Sequence, residues 1–192
     1  MRKIAVIIST LGHPLLTFPL FILIVMFSCE PFVKAIQVSF LIIGCFLIPV
    51  IRWMYTKSKK GITTNFDVSE KRQRRSLFSF AAPLLLVVTI ILFLTHQTKN
   101  VCLSSLFALI LLLVSQGTNY FIKSSLHVSL NIYLAALCFT LDDRLGIIVF
   151  LFTGLLGWSR IKLGRHTLEE VVAGMIIGIV ISLMMLVVEG YL

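Results

Sequence analysis

The chain has 192 residues, of which 58% are hydrophobic and 13% are charged, and its formal net charge is +9. Soluble domains carry about 25% charged residues, so this composition and a mean hydropathy of +1.03 exclude an ordinary soluble protein. A membrane-spanning helix needs about 20 mostly apolar residues, and we therefore expect one membrane domain of hairpinned helices with no separate soluble domain.

Seven apolar segments follow one another along the chain and predict an all-α, polytopic bundle of six to seven transmembrane helices. The first two segments and the start of a basic loop occupy residues 1–65. The fifth and sixth segments are short and only the turn LDDRLG separates them, so we expect a tight helical hairpin that the other helices shield from lipid. The segments are residues 5–29, 35–55, 77–95, 101–122, 125–141, 145–158 and 167–188.

Basic residues concentrate on one side of this predicted bundle. If all seven segments cross the membrane, the N-terminus, the loop 56–76, KSSLH at 123–127 and GWSRIKLGRHTLEEVVAG at 157–174 share one face. That face holds fourteen of the seventeen Lys and Arg residues. The positive-inside rule explains the asymmetry and places this face in the cytoplasm. An anion site at the membrane surface explains it as well, and the two explanations are compatible.

The sequence predicts neither a metal site nor a cofactor. The four cysteines lie inside apolar segments without CxxC spacing, which is typical of small core side chains. The four histidines show no HxxH or HxxxH spacing. Nucleic-acid binding is not expected either, because spans separate the basic clusters instead of gathering them on one soluble surface.

The first candidate functional stretch is FDVSEKRQRRSLF at 66–78, in which Arg72, Arg74 and Arg75 precede the third segment. A basic run beside a span is most often a topology signal or a contact with anionic lipid. The alternative is that one or two of these arginines fold over an anion and bind it through both guanidinium nitrogens. The sequence does not decide which of the three does so.

The second candidate stretch is KSSLHVSLN at 123–131. Ser124 or Ser125 can cap a helix, whose free backbone N–H groups form a seat for phosphate. His127 then lies in the first turn and faces the same seat. An isolated histidine here would be an interfacial side chain without a role, but Lys123 and the two hydroxyl groups beside it favour an anion site.

The third candidate stretch contains Arg160, Gly164, His166 and Glu170. Gly164 permits a tight turn, after which His166 is predicted to lie in the first turn of the last helix. Glu170 then shares a helix face with His166 and can accept the proton of one imidazole nitrogen. The other nitrogen is left bare and more basic, as a histidine nucleophile requires. Alternatively, Glu169 and Glu170 only stabilise the positive end of the helix dipole.

The three stretches together resemble the integral-membrane type 2 phosphatidic acid phosphatase superfamily, whose fold is shared with vanadium haloperoxidases. The third motif of that family, SRxxxxxHxxxD, matches at Ser159, Arg160 and His166, with Glu170 in place of Asp. The resemblance covers roughly residues 66–178, which would form the catalytic core. It implies a bacterial branch of the superfamily with its own variant of the first motif.

The other two family motifs match less completely. The second motif, PSGH, matches only at Ser125 and His127. The first, KxxxxxxRP, is not matched, because no Lys lies seven residues before Arg74 or Arg75 and no Pro follows either arginine. The missing Lys is also compatible with a relative of this superfamily whose activity is altered or lost.

The resemblance implies a metal-independent phosphatase that acts through a phosphohistidine. His166 would be the nucleophile, Glu170 would orient it, and His127 would be first the general acid and then the general base. The remaining charges of the last stretch, Lys162, Arg165 and Glu169, are predicted to lie on the surface. The residues that would hold the phosphate oxygens are Arg160, Ser125, Lys123 and one or two of Arg72, Arg74 and Arg75.

The implied substrate is a lipid phosphomonoester or diphosphate, and phosphatidic acid, phosphatidylglycerol phosphate, undecaprenyl diphosphate and lipid A phosphates all fit. The implied location is the bacterial inner membrane, with membrane lipids as partners. The side on which the site opens and the oligomeric state stay open. A non-catalytic anion-binding or transport protein is the alternative, although transport favours polar or broken helices near the bilayer middle.

Overall fold

The computed structural model describes residues 1–60 and 70–192, and within these two ranges all regular secondary structure is helical, without strands. Residues 61–69 of the basic loop lie outside the described residues. A π-helical turn, Ile43–Leu47, joins α3 directly to α4. The helices are α1 (Arg2–Leu11), α2 (Pro14–Cys29), α3 (Phe32–Ile42), α4 (Ile48–Lys59), α5 (Lys71–Leu94), α6 (Lys99–Thr118), α7 (Leu126–Phe139), α8 (Asp143–Lys162) and α9 (Leu168–Glu189).

The described residues form five helices that are long and apolar enough to cross a membrane. These are the continuous run of α3, the π turn and α4, followed by α5, α6, α8 and α9. A sixth crossing results if the bent pair of α1 and α2 counts as one span. The all-α fold with several membrane-spanning helices, expected from composition, is therefore confirmed.

Two of the predicted segments differ from the helices that form. The first segment is broken between α1 and α2, where the axis bends by 44°, because His13 and Pro14 begin a new helix and Pro supplies no backbone N–H for the ladder. The sixth segment was predicted to be short, which is wrong: α8 has 20 residues and continues through Ser159 and Arg160. The predicted segment ended where these two polar residues begin, but both side chains are buried within the bundle and the helix continues through them.

The short helix α7 lies at the centre of the bundle. Its 14 residues extend about 21 Å at the α-helical rise, less than the roughly 30 Å of a bilayer core. It packs against α2, α6, α8 and α9, and most of its side chains are buried. The expectation that the other helices shield the hairpin is therefore confirmed for α7. For α8, its second half, the expectation is wrong, because Ile147, Ile148, Leu151 and Leu155 are between 52% and 64% exposed.

Two glycines of α9 permit this central position. A Cβ at Gly174 would lie 2.6 Å from the carbonyl oxygen of Ser125, and one at Gly178 would lie 2.9 Å from that of Ser129. No side chain fits at either distance, so the absence of a Cβ at these two positions is what allows the two helix backbones to come this close. Other membrane helices also pack closely through small residues at four-residue spacing. The close approach places the start of α7 directly beside the first turn of α9.

The break between α1 and α2 is fixed to the same central helix. Asn131 of α7 is fully buried and donates through Nδ2 to the carbonyl oxygens of Gly12, at 3.0 Å, and of His127, at 2.7 Å. The Nδ1 atom of His13 accepts from the backbone N–H of Leu15 at 3.2 Å and caps α2. The starts of α2, α7 and α9 therefore meet at one end of the bundle.

Candidate active site

His166 and Glu170 form a hydrogen-bonded pair where these helix starts meet. The His166 Nδ1 atom lies 2.7 Å from Glu170 Oε2, and the histidine side chain is 6% exposed. An ionised carboxylate only accepts hydrogen bonds, so Nδ1 donates. In the neutral ring this leaves Nε2 without a proton and with a free lone pair. The predicted contact between the two side chains is confirmed.

The local structure that makes this contact differs from the predicted one. The last helix begins at Leu168 with Thr167 as its N-cap, so His166 precedes the helix and does not share a helix face with Glu170. A capping box brings them together: Thr167 Oγ1 accepts from the Glu170 backbone, and Glu170 Oε2 accepts from the Thr167 backbone, both at 3.3 Å. The box directs the carboxylate back toward residue 166.

A tight turn between α8 and α9 presents His166 at this point. Gly164 has a φ of 66°, a left-handed conformation that glycine adopts without strain, so the predicted turn is confirmed. The carbonyl oxygen of Arg160 accepts from the backbone N–H groups of Arg165, at 3.0 Å, and of His166, at 3.3 Å. The position of the imidazole is thus fixed relative to the end of α8.

The surroundings of His166 favour its neutral form. Burial contributes most, followed by the positive charges of Arg160 and Lys123, and together with Arg74 they lower the pKa of His166 to about 4, against the hydrogen bond to Glu170, which raises it. The imidazole is therefore uncharged at neutral pH. A neutral ring with a free Nε2 lone pair is the form in which histidine acts as a nucleophile.

The start of α7 contributes a second histidine and an unpaired hydroxyl. Ser125 is the N-cap residue of α7, but its side chain makes no capping bond. Its backbone N–H donates to the carbonyl oxygen of Glu170 at 2.9 Å. The buried Ser125 Oγ has no hydrogen-bond partner among the described residues, which is uncommon for a buried polar atom. His127 follows in the first turn and is buried as well.

Two arginines are buried close to these groups. Arg160 is 1% exposed, and its Nη1 donates to Ser9 Oγ on α1 at 2.9 Å. Arg74 is 5% exposed, and its guanidinium lies 5.6 Å from the ring centre of Phe78. Within residues 1–60 and 70–192, the Nη1 atom of Arg74 has no hydrogen-bond partner. A buried cation requires compensation, and an anion bound beside Arg74 would provide it.

The three arginines that the sequence could not distinguish have different environments. Arg74 is buried and lines the same cavity as His127 and His166. Arg72 is exposed, and Arg75 is also exposed, with its guanidinium 4.5 Å from the ring centre of Tyr120. Only Arg74 of the three therefore faces the site.

Lys123 lies beside the site but is engaged with protein groups. Its Nζ is 3.5 Å from Glu170 Oε2 and donates to the carbonyl oxygen of Arg165 at 3.0 Å. Arg165 was predicted to be a surface charge, whereas its side chain is half-buried and donates through Nη1 to Ser9 Oγ at 3.1 Å. Lys162 and Glu169 are exposed, as expected.

Two residues of the first segment join the site without having been predicted. Ser9 is buried and accepts from the guanidinium groups of Arg160 and Arg165. The ring of His13 lies edge-on to that of His127, with 4.9 Å between the ring centres. The dipeptide His13-Pro14 is a helix-start signal that could have been noticed, but no local pattern links it to a histidine more than a hundred residues away.

A cavity of about 120 Å³ connects several of these side chains. His13, Arg74, His127 and His166 line one part of it, and the remaining lining residues are apolar. Ser125 and Arg160 are not among the lining residues. Within the described ranges, no three His, Cys, Asp or Glu side chains come together as a metal site requires.

The site thus combines a neutral histidine held by a carboxylate, a second buried histidine and two buried arginines. This set of groups can attack an electrophilic centre, transfer a proton and hold an anion. Comparisons of the chain with known protein families, with curated proteins and with solved structures found no match.

Proposed function

We propose that this chain is a membrane phosphatase of the type 2 phosphatidic acid phosphatase kind, which hydrolyses a lipid phosphomonoester or diphosphate through a phosphohistidine. The observation that carries the proposal is the 2.7 Å bond between His166 Nδ1 and Glu170 Oε2 beside a cavity that His127 and Arg74 also line. A carboxylate that fixes a neutral imidazole prepares the other ring nitrogen for nucleophilic attack.

In the first half of the proposed reaction, the Nε2 lone pair of His166 attacks the phosphorus atom. A P–N bond forms while the P–O bond to the lipid breaks. His127, in its protonated form, donates a proton to the departing oxygen, so the lipid leaves as a neutral alcohol, or as a phosphate from a diphosphate. Glu170 stabilises the positive charge that develops on His166.

In the second half, His127 is neutral and accepts a proton from a water molecule. The water oxygen attacks phosphorus, the P–N bond breaks, and inorganic phosphate leaves. His166 returns to its neutral form and His127 is protonated again, so the cycle closes without a redox step. No cofactor is required by this sequence of events.

The buried cations supply the charge that phosphoryl transfer requires. In the transition state negative charge spreads over the non-bridging oxygens, and fixed donors that are aimed at these oxygens stabilise it. We assign this role to Arg74, Arg160 and the hydroxyl of Ser125. Lys123 is assigned to holding Glu170, because its ammonium group is already 3.5 Å from that carboxylate.

The burial of the site within an apolar bundle supports a lipid substrate. Several long apolar helices surround it, so a phosphate at the membrane surface can reach it while the apolar chain stays in lipid or among the helices. A phosphate head joined to one or more apolar chains is common to phosphatidic acid, phosphatidylglycerol phosphate, undecaprenyl diphosphate and lipid A phosphates. We propose a location in a bacterial inner membrane on the family resemblance alone.

The decisive experiment measures phosphate release from these lipids by the purified protein in detergent, with a chelator present. We expect release that the chelator does not lower and that His166→Ala abolishes. His96→Asn is the matched control, because His96 is exposed in the loop between α5 and α6 and Asn tolerates its positive φ of 51°. Release that survives His166→Ala, or stops with the chelator, would contradict the mechanism.

The intermediate can be trapped with p-nitrophenyl phosphate, whose leaving group needs no proton. In His127→Ala this substrate should still phosphorylate His166, and the loss of the general base should let the phosphohistidine accumulate. We expect a burst of nitrophenol and a phosphorylated protein that is labile to acid and stable to base. Steady turnover without a burst, or an acid-stable label, would contradict the assigned roles.

A transport protein for an anion is the second candidate, because a second cavity adjoins the first and reaches Glu30, Lys99 and Glu189 at the opposite ends of the helices. The residues common to both cavities are Phe18, Leu85 and Ala108, and none of these side chains can stabilise an ion. The wall between the cavities therefore favours the enzyme. Uptake of radioactive phosphate into proteoliposomes that His166→Ala leaves unchanged would support transport.

A further inference from the structure

The cavity next to His166 changes from polar to apolar along the helices that line it. On α5, Arg74 is followed on one helix face by Leu77, Phe78, Ala81 and Leu85, all of which line the cavity. Their spacing of three or four residues places them in a single stripe along the helix. The stripe has a cation at the active-site end and only apolar side chains below it.

Two other helices show the same order. On α2, His13 is followed by Phe18, and on α7, His127 is followed by Leu130, and all four residues line the cavity. Three helices therefore place an ionisable side chain at one end and apolar side chains at the other. A ligand that matches this lining has an anionic head and an apolar chain that points into the bundle.

The walls and the volume limit what the apolar part can hold. Every residue of the lining is buried or half-buried, so no exposed side chain forms part of its wall. An apolar cavity of about 150 Å³ accommodates one benzene-sized molecule, and this cavity has about 120 Å³. This small volume extends along α5 from Arg74 to Leu85, about 16 Å at the helical rise, so the space is narrow. It admits one chain and has no room for two chains side by side.

A second cavity of about 320 Å³ adjoins the first, and its part nearest the first, where Phe21, Ile22 and Val25 line it, offers room for the distal part of a long chain. Its far part reaches Glu30, Lys99 and Glu189 and is polar. Phe18, Leu85 and Ala108 line both spaces and form the wall between them. Arg74 and Leu85 are eleven residues apart on α5, which corresponds to about 16 Å along the helix axis. A short chain therefore ends at this wall, and a longer one must pass it.

We propose, on the basis of the function proposed above, that the substrate is a single-chain lipid phosphate, an alkyl or prenyl phosphate or diphosphate whose chain enters the bundle between α2, α5 and α7. The phosphate binds at His166 and the arginines, and the chain occupies the first cavity. Chains longer than this cavity pass Phe18, Leu85 and Ala108 into the second one. Diacyl lipids are poor substrates.

Selection by this channel is steric. Lipid tails are as apolar as the protein interior, so a chain gains little hydrophobic free energy when it moves from the bilayer into the bundle. A second acyl chain on the same glycerol has no space beside the first and would hold the phosphate away from His166. Such displacement reduces catalysis steeply, because the reacting atoms must approach to near-contact distance.

The first test compares substrates on the unmodified protein in mixed micelles at equal surface concentration. We expect kcat/KM for hexadecyl phosphate and farnesyl phosphate to exceed that for dioleoyl phosphatidic acid by roughly a hundredfold. Equal or faster hydrolysis of the diacyl lipid that His166→Ala abolishes would overturn this inference and leave the proposed function intact. Absence of release from every lipid would instead contradict the proposed function.

The second test narrows the wall between the cavities. In Ala108→Phe, hexadecyl phosphate should lose roughly tenfold in kcat/KM, whereas octyl phosphate, whose chain ends within the first cavity, should be hydrolysed at nearly the original rate. Val114→Phe is the matched control, because Val114 lies on the same helix and is 37% exposed. An equal loss of kcat/KM for octyl and hexadecyl phosphate, or no loss for either, would contradict passage of the chain between the two cavities.

A substitution that removes volume from the same wall keeps the test informative if the Ala108→Phe variant does not fold. Phe18→Ala widens the same wall, so it should raise kcat/KM for hexadecyl phosphate relative to octyl phosphate. A ratio that falls or stays constant in Phe18→Ala would count against passage of the chain between the cavities. A higher kcat/KM for hexadecyl phosphate would indicate an alkyl chain in the natural substrate, and a higher kcat/KM for farnesyl phosphate would indicate a prenyl chain.

Discussion

Replacing Glu170 by glutamine separates the two tasks of this side chain. Glu170 Oε2 accepts from His166 Nδ1 at 2.7 Å, and the same atom closes the capping box with Thr167. A glutamine oxygen can still close the box, because capping boxes accept Gln at this position. The substitution therefore removes the negative charge and retains the cap.

The expected loss of activity follows from the shortness and charge of this contact. A hydrogen bond to a carboxylate is roughly twice as strong as a neutral one, and general acid–base partners contribute about a hundredfold or more. We expect kcat/KM to fall at least about a hundredfold, or about 3 kcal/mol of transition-state stabilisation. Stability should fall as well, because the side chains of Lys123 and Glu170 are only 16% and 18% exposed and the substitution leaves the ammonium group without its carboxylate.

A change of protonation cannot account for such a loss. The hydrogen bond to Glu170 raises the pKa of His166, so its removal lowers that pKa further below neutrality. The imidazole then stays neutral throughout a neutral assay. A slower reaction must therefore come from lost orientation of the ring and from lost stabilisation of the charge that develops on it.

The assay measures phosphate release and thermal unfolding for the parent, Glu170→Gln and Glu169→Gln. Glu169 is the matched control, because it carries the same charge in the same first turn of α9 and is exposed. Parent-like activity in Glu170→Gln would refute the orienting role. An equal loss in Glu169→Gln would attribute the effect to charge at the helix start and not to the contact with His166.

Two further predictions concern pH dependence and packing. Lys123 lowers the pKa of His166, so Lys123→Met should raise that pKa and move the acidic limb of the kcat/KM profile to higher pH. An acidic limb that stays at the same pH or moves to lower pH would contradict this electrostatic coupling. Gly174→Ala places a Cβ 2.6 Å from the Ser125 carbonyl, so it should lower the unfolding temperature, with overpacking costing about 1–3 kcal/mol, and also lower activity. Gly154→Ala, where nothing lies within 4 Å of the new Cβ, is the control, and equal stability of the two variants would exclude close packing at Gly174.

Composition and short-range spacing determined the class of protein and the centre of the site. A mean hydropathy of +1.03 indicates a membrane protein, because several apolar stretches reach the roughly 20 residues that cross a bilayer. The four-residue spacing of His166 and Glu170 correctly indicated that their side chains meet, although a capping box and not a continuous helix produces the contact. Local sequence carries this information because the two residues are only four positions apart in the chain.

Only the tertiary structure decided which distant residues join that centre. Arg72, Arg74 and Arg75 are alike in sequence, and the rotation of α5 about its axis alone buries Arg74 and leaves the other two exposed. Ser9 reaches Arg160 across 151 positions of the chain, and His13 reaches His127 because the axis bends between α1 and α2. These contacts depend on how whole helices pack through Gly174, Gly178 and Asn131, and helix packing is set by the shapes of both partners, which no single stretch of sequence contains.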